Sequence, residues 1–228
     1  MRVRGPRRQP SPESKKNKEQ AIKDMLLNLK IEIVMPDGSK EEIRFSEDEI
    51  SERVLEELSG YTIDTLLSII PARFQENVRN LDIAPEKWKR AVLAQPSLFY
   101  QSPETINKNI EGAAQLLGIS KREYVRAALE QPQLFYQSPE TINKNIEGAA
   151  QLLGIGKEEY VKAALKRPSL FSRSPETINK NIEEAAQLLG ISKREYVKAA
   201  LEKPQLFYQS PETINKNIEE AAQFVRCK

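Results

Sequence analysis

The sequence has 228 residues, 30% of them charged and 39% hydrophobic, a composition typical of a water-soluble protein with a sizeable core. It contains no histidine and a single cysteine, Cys227, which excludes Ser–His and Cys–His catalytic pairs, histidine metal sites and an intrachain disulfide. No apolar run reaches the roughly 18 residues that span a bilayer, and no secretory signal pattern is present. We therefore expect a non-enzymatic protein with no cofactor, no membrane segment and no small-molecule substrate.

The net charge of +2 is unevenly distributed along the chain. Residues 1–18 hold seven basic side chains and one acidic, whereas residues 19–102 hold ten basic and sixteen acidic. Residues 1–16 are rich in Arg, Pro and Ser and have little to bury, which predicts a disordered basic arm. Such an arm suits a nucleic acid or acidic surface, and it equally suits a solvated tail or an organelle-targeting leader.

A small α/β capping segment is predicted over residues 17–60. Its first element is a helix over 17–29, with one apolar stripe formed by Ile22, Met25, Leu26 and Leu29. Alternating apolar residues on both sides of Asp37-Gly38 predict a β-hairpin over 31–45. Ser46 and Glu49 then form a capping box for a helix that runs to about Leu58 and is closed by Gly60.

A repeat with a period of 36 residues follows, and the nonapeptide SPETINKNI begins at Ser102, Ser138, Ser174 and Ser210. We divide the array, residues 61–228, into a degenerate copy (67–102), three full copies (103–138, 139–174, 175–210) and a half copy (211–228). The first and third full copies differ only at the positions equivalent to 112, 126 and 131. Such identity reflects either a repeated contact with a periodic partner or recent duplication, and the sequence leaves both open.

Each copy is predicted to form two helices. In the first full copy, Ser102 and Pro103 start the first helix and Gly118 ends it. Ser120 and Glu123 form a capping box for the second helix, and Pro132 stops it. Leu134 and Phe135 then lie in the short segment that leads to the next copy, which we call the joint. One such pair cannot bury its apolar stripe alone, whereas stacked copies can. We therefore predict an all-α, right-handed superhelical solenoid with a small helix and β-hairpin cap at its N-terminal end.

The repeat resembles that of the mitochondrial transcription termination factor (mTERF-like) family. The tetratricopeptide and ankyrin patterns do not fit. The stretch LLGISKREYVRAALEQPQLFYQSPETI matches the order of features in that family's repeat. This order is a Leu-Gly start, a short second helix, a Pro-x-Leu segment and a Ser-x-Glu restart. Its carriers are Leu117, Gly118, Pro132, Leu134 and Ser138 with their copies, and the resemblance covers about Leu81 to Gln223. It implies a curved superhelix that binds double-stranded DNA, or sometimes RNA, against basic side chains on its inner surface.

Three sets of basic residues recur with the repeat. The first cationic set lies on the second helices, away from the apolar face, and suits phosphate contacts: Arg90, Arg126, Lys162 and Lys198. Its alternative is a solvated face paired at i+4 with Glu130 and Glu202. The second cationic set occupies the start of the second helices, where a cation opposes the helix dipole and an anion would bind: Lys121, Lys157 and Lys193. The alternative is an exposed lysine whose position at a helix start lowers stability only slightly.

The third cationic set is the lysine of each Asn-Lys-Asn: Lys108, Lys144 and Lys180. Lys108 lies opposite the buried stripe and could pair with Glu104. The flanking asparagines could read a base edge or bond to a partner's backbone. Phe135 and Tyr136 could stack on bases, although the core of the joint is the more ordinary place for Phe135.

These observations predict a non-catalytic nucleic-acid-binding repeat protein, with duplex DNA favoured and RNA as an alternative. The competing hypothesis is a protein–protein interaction scaffold that presents a repeated concave surface. We expect a monomer in an intracellular, reducing compartment, either cytoplasm or nucleoid, with organelle targeting by the arm left open.

Overall fold

A computed structural model of the protein describes residues 12–217. The chain divides into two compact units, Met1–Ile106 and Asn107–Lys228. Helices predominate in both, and the strands found in the described part form one two-stranded sheet in the first unit. The predicted all-α solenoid with a small N-terminal hairpin is therefore confirmed, whereas the right-handed superhelix stays a prediction.

The first helix begins earlier than we predicted. Helix α1 spans Pro12–Asn28, and its Lys15 pairs with Glu19 at 3.6 Å and with Glu56 at 3.1 Å. The signal for this start is Ser-Pro-Glu at 11–13, the tripeptide that also opens each repeat helix, because proline suits the first helical position. The predicted disordered arm over 1–16 is thus wrong for residues 12–16, and its residues 1–11 lie outside the described part of the chain.

The β-hairpin forms as the alternation predicted. Strand β1 (Ile31–Val34) pairs antiparallel with strand β2 (Lys40–Ile43), so that Ile31 lies opposite Ile43. Gly38 in the connecting turn has φ +84°, a backbone conformation that glycine adopts without steric cost. The hairpin and α1 together bury the apolar residues that the two patterns singled out: Ile22, Met25, Leu26, Leu29, Ile31, Ile33, Ile43 and Phe45.

The helix predicted from Ser46 is interrupted. The Ser46 N–H donates to the Glu49 carboxylate at 2.9 Å, but this cap opens only the 3₁₀ turn Glu47–Glu49. Ile50 is extended, with φ −87° and ψ 93°, so a new helix, α2 (Glu52–Leu58), begins after Ser51. The continuous helix was therefore a wrong prediction, and the cap at its C-terminal end is Ser59, not Gly60.

The degenerate copy keeps the two-helix plan with different end residues. Helix α3 (Ile63–Leu81) starts one turn before the repeat register, where the Thr62 hydroxyl accepts from the Thr65 N–H. Asp82 stands where the full copies have glycine and adopts φ +51°, a conformation that aspartate tolerates better than most residues. Helix α4 (Pro85–Ala94) follows, and the 3₁₀ turn Pro96–Phe99 closes the copy.

The three full copies share one plan. Their first helices are α5 (Pro103–Leu117), α7 (Pro139–Leu153) and α9 (Pro175–Leu189), each followed by a glycine at φ between +65° and +68°. Their second helices are α6 (Lys121–Glu130), α8 (Lys157–Lys166) and α10 (Lys193–Glu202). The 3₁₀ turns Pro132–Phe135, Pro168–Ser172 and Pro204–Phe207 then link each copy to the next. The predicted caps and stops are confirmed.

Ring contacts and close helix packing help to join consecutive copies in the second unit. The buried Tyr124 ring meets Phe171 of the next copy edge-on, with ring centroids 6.0 Å apart, and Tyr160 meets Phe207 in the same way at 5.5 Å. On the first helices, a Cβ placed on Gly112 would lie 2.9 Å from the ring of Pro139. The first helices therefore pack closely at Gly112, where a side chain would press on the proline ring.

The helices carry no segment of membrane-spanning character. Within residues 12–217, none is both long and apolar enough to cross a bilayer.

Candidate nucleic-acid interface

The first cationic set lies on an exposed face of the second helices. Arg126, Lys162 and Lys198 occupy equivalent positions of α6, α8 and α10, and each of these helices contacts the next. Arg90 is exposed at the same position of α4 in the first unit. In the described part of the chain, none of the four forms a salt bridge. The arrangement thus leaves a row of three cations on neighbouring helices free for solvent or ligand.

The alternative pairing of this set does not form. Arg126 and Glu130 stand one turn apart on α6, and Lys198 and Glu202 do so on α10, yet neither pair comes within salt-bridge distance among the described contacts. Exposed i+4 pairs stabilise a helix by only a few tenths of a kcal/mol, so both side chains remain solvated.

The second cationic set is engaged inside the protein. Lys157 Nζ lies 2.6 Å from Asn143 Oδ1, 2.9 Å from Glu147 Oε1 and 2.8 Å from the carbonyl oxygen of Leu116. An ammonium group has three N–H donors, and these three acceptors use them all. The same contacts recur one copy later, where Lys193 bonds to Asn179, Glu183 and the Leu152 carbonyl oxygen. Lys121 makes the side-chain contacts, at 2.6 Å to Asn107 and 3.1 Å to Glu111.

The carbonyl contact explains why a lysine stands at a helix N-terminus. Leu116 lies in the last turn of α5, where carbonyl groups lack intrahelical partners and carry the negative end of the dipole. Lys157 therefore opposes the dipole of its own helix, α8, and complements the dipole of α5. Lys157 and Lys193 therefore have no ammonium N–H left for the anion that we expected them to bind, and Lys121 has two of its three N–H groups engaged.

The same network shifts the acidity of its glutamates. The Lys121 ammonium holds the pKa of Glu111 below its ordinary value, and Asn107 adds to this effect. Lys157 and then Asn143 lower the pKa of Glu147 in the same way. The carboxylates are thus kept ionised beside their lysines. This lysine–asparagine–glutamate network ties the two helices of a copy together.

The asparagines of the Asn-Lys-Asn motif also have structural partners. In the three full copies the first asparagine, Asn107, Asn143 or Asn179, accepts from a lysine of the second cationic set. The second is half-buried in the three full copies, and Asn145 donates to the Phe171 carbonyl oxygen at the end of its own copy at 3.4 Å. Helix packing thus accounts for these polar repeated residues without a base contact.

The third cationic set, between those asparagines, points outward. Lys108, Lys144 and Lys180 are exposed, and Lys180 alone forms a salt bridge among the described residues, at 3.7 Å to Glu184. The pairing expected between Lys108 and Glu104 is not among the ion pairs of the described residues. These lysines remain accessible.

The aromatic residues of the joint divide between core and surface. Phe135 is fully buried, as expected for the core, and has no face available for a base. Tyr136 is 38% exposed. Any stacking contact in this copy would therefore involve the tyrosine.

Comparison with protein families matches the mTERF family model over residues 42–223. The match covers most of the chain. The chain belongs to the mTERF family. Comparison with curated proteins finds no match.

Membership in the mTERF family indicates a nucleic-acid-binding helical-repeat protein. The family match starts well before the resemblance that we drew from Leu81 onward, since it begins within β2 and takes in α2 and α3. Part of the segment that we described as a cap therefore belongs to the mTERF region itself.

Sequence reasoning missed one group of residues on this mTERF array. The Arg167 guanidinium lies 4.9 Å from the centre of the Tyr208 ring, and that of Arg173 lies 5.9 Å from it. At the position of Arg167 the other full copies carry Gln131 and Lys203, and at the position of Arg173 both carry glutamine. A comparison between the copies would therefore have revealed the two arginines.

Proposed function

We propose that this mTERF-family protein binds nucleic acid, with duplex DNA favoured over RNA, through phosphate contacts along its repeats. It would act as a regulator or a roadblock and not as a catalyst. Family membership supports the nucleic-acid class, and the exposed cations supply groups that phosphates require.

One observation carries the proposal most directly. Arg126, Lys162 and Lys198 are exposed, form no described salt bridge and stand at equivalent positions on helices that contact one another. A duplex presents phosphates at regular intervals, so a periodic row of cations matches a periodic row of anions. Arg90 extends the set by sequence register.

The other two cationic sets enter the proposal differently. We leave Lys121, Lys157 and Lys193 out of the interface because each is bonded to an asparagine and a glutamate, and Lys157 and Lys193 also to a carbonyl oxygen. The third cationic set remains available as a supplementary contact, since its side chains are exposed. Near-identical copies offer the same side chains at each step, so we expect little sequence preference.

The test is a mobility shift with random-sequence duplex DNA at low and at physiological salt. About four to eight phosphate contacts would make affinity fall steeply between about 50 and 200 mM salt. A complex at low salt that weakens in this way is the expected result. Absence of a complex at low salt with micromolar protein would overturn the proposal.

A second candidate function rests on an exposed apolar row. Leu116, Leu152 and Leu188 occupy equivalent positions of α5, α7 and α9 and are 40%, 41% and 46% exposed. Solenoids often bind proteins on such repeated surfaces, so this row favours an interaction scaffold. A partner that stays bound after nuclease treatment, and is lost on Leu152→Ser, would favour the scaffold over the nucleic-acid proposal.

A further inference from the structure

The full copies differ from one another mainly in charge near the end of the second helix and in the joint. Residues 162–174 contain four basic side chains and no acidic one. The equivalent residues 126–138 contain one basic and one acidic, and residues 198–210 contain two basic and one acidic. One copy of an otherwise uniform array thus carries a concentration of positive charge. We call it the basic cluster: Lys162, Lys166, Arg167, Arg173 and the neighbouring Lys203.

The members of the basic cluster are exposed, and Lys203 is the C-cap residue of α10, the helix that contacts α8. Lys162 and Lys166 stand one turn apart on α8, and Arg167 caps that helix. Arg167 and Arg173 both face the Tyr208 ring of the next copy, at 4.9 and 5.9 Å. In the described part of the chain, none of the five residues forms a salt bridge.

The preceding joint shows what occupies the same place in a neutral copy. There Gln137 stands where the basic cluster has Arg173, and Ser172 stands where the next joint has Tyr208. The Ser172 hydroxyl donates to the Gln137 side-chain oxygen at 3.0 Å. Ser172 thus pairs with Gln137 at one joint, and Tyr208 with Arg167 and Arg173 at the next.

Packing alone gives an incomplete account of this cluster. The C-terminal end of α8 favours Lys166 and Arg167 through its dipole, but Arg173 lies beyond the following 3₁₀ turn. Two guanidinium groups beside one ring repel each other, and the described structure supplies no carboxylate to offset this. A guanidinium stacked on a ring keeps its in-plane N–H donors free, and these match the oxygens of a phosphate.

We propose that the basic cluster is the anchor that fixes where a nucleic acid sits along the repeats, with Arg167 and Arg173, oriented by Tyr208, binding its phosphates. This inference rests on the proposed function and adds a unique position to an array whose other steps are alike. Lys162 belongs to both the first cationic set and the cluster, which makes the anchor continuous with the row.

The experiment replaces the cluster with residues that the chain itself uses in the first full copy. The reverted variant is Lys166→Glu, Arg167→Gln and Arg173→Gln, and its joint resembles one that already folds. The charge-matched control is Lys87→Gln, Arg122→Glu and Arg194→Gln, three exposed positions outside the cationic sets. Affinity for a short random duplex is measured at several salt concentrations, with circular dichroism as the check on folding.

We expect the reverted variant to bind at least about tenfold more weakly at low salt. The slope of the logarithm of the binding constant against the logarithm of the salt concentration should be smaller in magnitude by about two. The control should lose less than about threefold. If the wild-type protein forms a complex and the reverted variant binds equally well, the anchor is overturned while the proposed function stands. If the wild-type protein forms no complex, the proposed function itself has failed.

A transplant in the reverted background tests the anchor further. Glu130→Lys, Gln131→Arg, Gln137→Arg and Ser172→Tyr rebuild the cluster one copy earlier. We expect affinity to return, because the neighbouring copy supplies the same backbone positions. Failure of a folded transplant to restore binding would overturn the anchor. Competition by polyglutamate equal to that by DNA of the same charge would overturn the assignment to nucleic acid in favour of an acidic protein.

Discussion

Lys157 reaches from the start of one helix to the carbonyl oxygen of Leu116 in the preceding copy, at 2.8 Å. The contact joins residues 41 positions apart, and Lys193 repeats it with Leu152 at 2.9 Å. A residue that looked like a local electrostatic cost in the sequence is thus a link between copies.

Replacement of Lys157 should act on stability and not on nucleic-acid binding. Lys157→Met removes three hydrogen bonds from a side chain that is 33% exposed, so we expect the free energy of unfolding to fall by about 1 kcal/mol. Urea denaturation followed by circular dichroism measures this. Lys162→Met, at an exposed position of the same helix, is the control and should change stability by less than about 0.5 kcal/mol. A Lys157 variant with unchanged stability and weakened DNA binding would contradict this role.

Charge reversal of the row should weaken binding without unfolding the protein. Arg126→Glu, Lys162→Glu and Lys198→Glu together should lower affinity for every duplex sequence and flatten the salt dependence by about three in slope. The side chains are exposed, so helix content should stay unchanged. Mobility shifts over a salt series, with circular dichroism alongside, provide both readings. Loss of affinity for only one sequence would show base recognition instead of phosphate contacts.

The close contact at Gly112 predicts a cost for the smallest side chain. Gly112→Ala would gain about 1 kcal/mol of helix propensity. It would also place a Cβ 2.9 Å from the Pro139 ring, an overpacking that costs about 1–3 kcal/mol. We expect net destabilisation in urea denaturation. The control is Glu184→Ala, at the equivalent position of α9, which should be nearly neutral because a larger side chain already fits there.

Acid should weaken the lysine–asparagine–glutamate networks. Lysine hydrogen bonds lower the folded-state pKa of Glu111, Glu147 and Glu183 below the ordinary value of 4.5. The unfolded chain then binds more protons in this window, so the contribution is present above about pH 4.5 and lost as the pH falls through the folded-state values. Urea midpoints measured down to about pH 3 should drop less in the triple Glu→Gln variant. Equal slopes for both proteins would contradict the shift.

Removal of residues 1–11 should cost affinity and leave the fold intact. The deleted segment carries Arg2, Arg4, Arg7 and Arg8 and no acidic residue. It stops short of α1, whose Lys15 pairs with Glu56. We expect weaker binding at low salt and an unchanged thermal midpoint. Unchanged affinity would show that these arginines stay away from the nucleic acid.

The sequence predicted features whose causes are local. The helix ends at Ser138 and Gly154 depend on a hydroxyl cap and a left-handed residue within a few positions, so patterns of neighbouring residues were sufficient. The helix expected from Ser46 did not form because tertiary packing of the capping segment, in which Ile50 is buried and extended, overrode a valid cap.

Features that depend on distant partners were not predictable in the same way. The role of Lys157 is decided by Leu116 and Asn143, which only the stacking of copies brings to it. The pairing of Arg167 with Tyr208 likewise joins two copies. Residue spacing along one helix carries no information about such contacts, although differences between copies indicated where to look.

The aromatic contact between copies has a consequence for how such a chain changes its length. Tyr124 meets Phe171 as Tyr160 meets Phe207, so the copy 139–174 receives one such contact through its phenylalanine and presents the next through its tyrosine. Recombination that adds or removes one 36-residue unit would create a junction with its tyrosine and phenylalanine already matched. Array length is therefore open to evolution by unequal exchange, with no new interface to invent at each step.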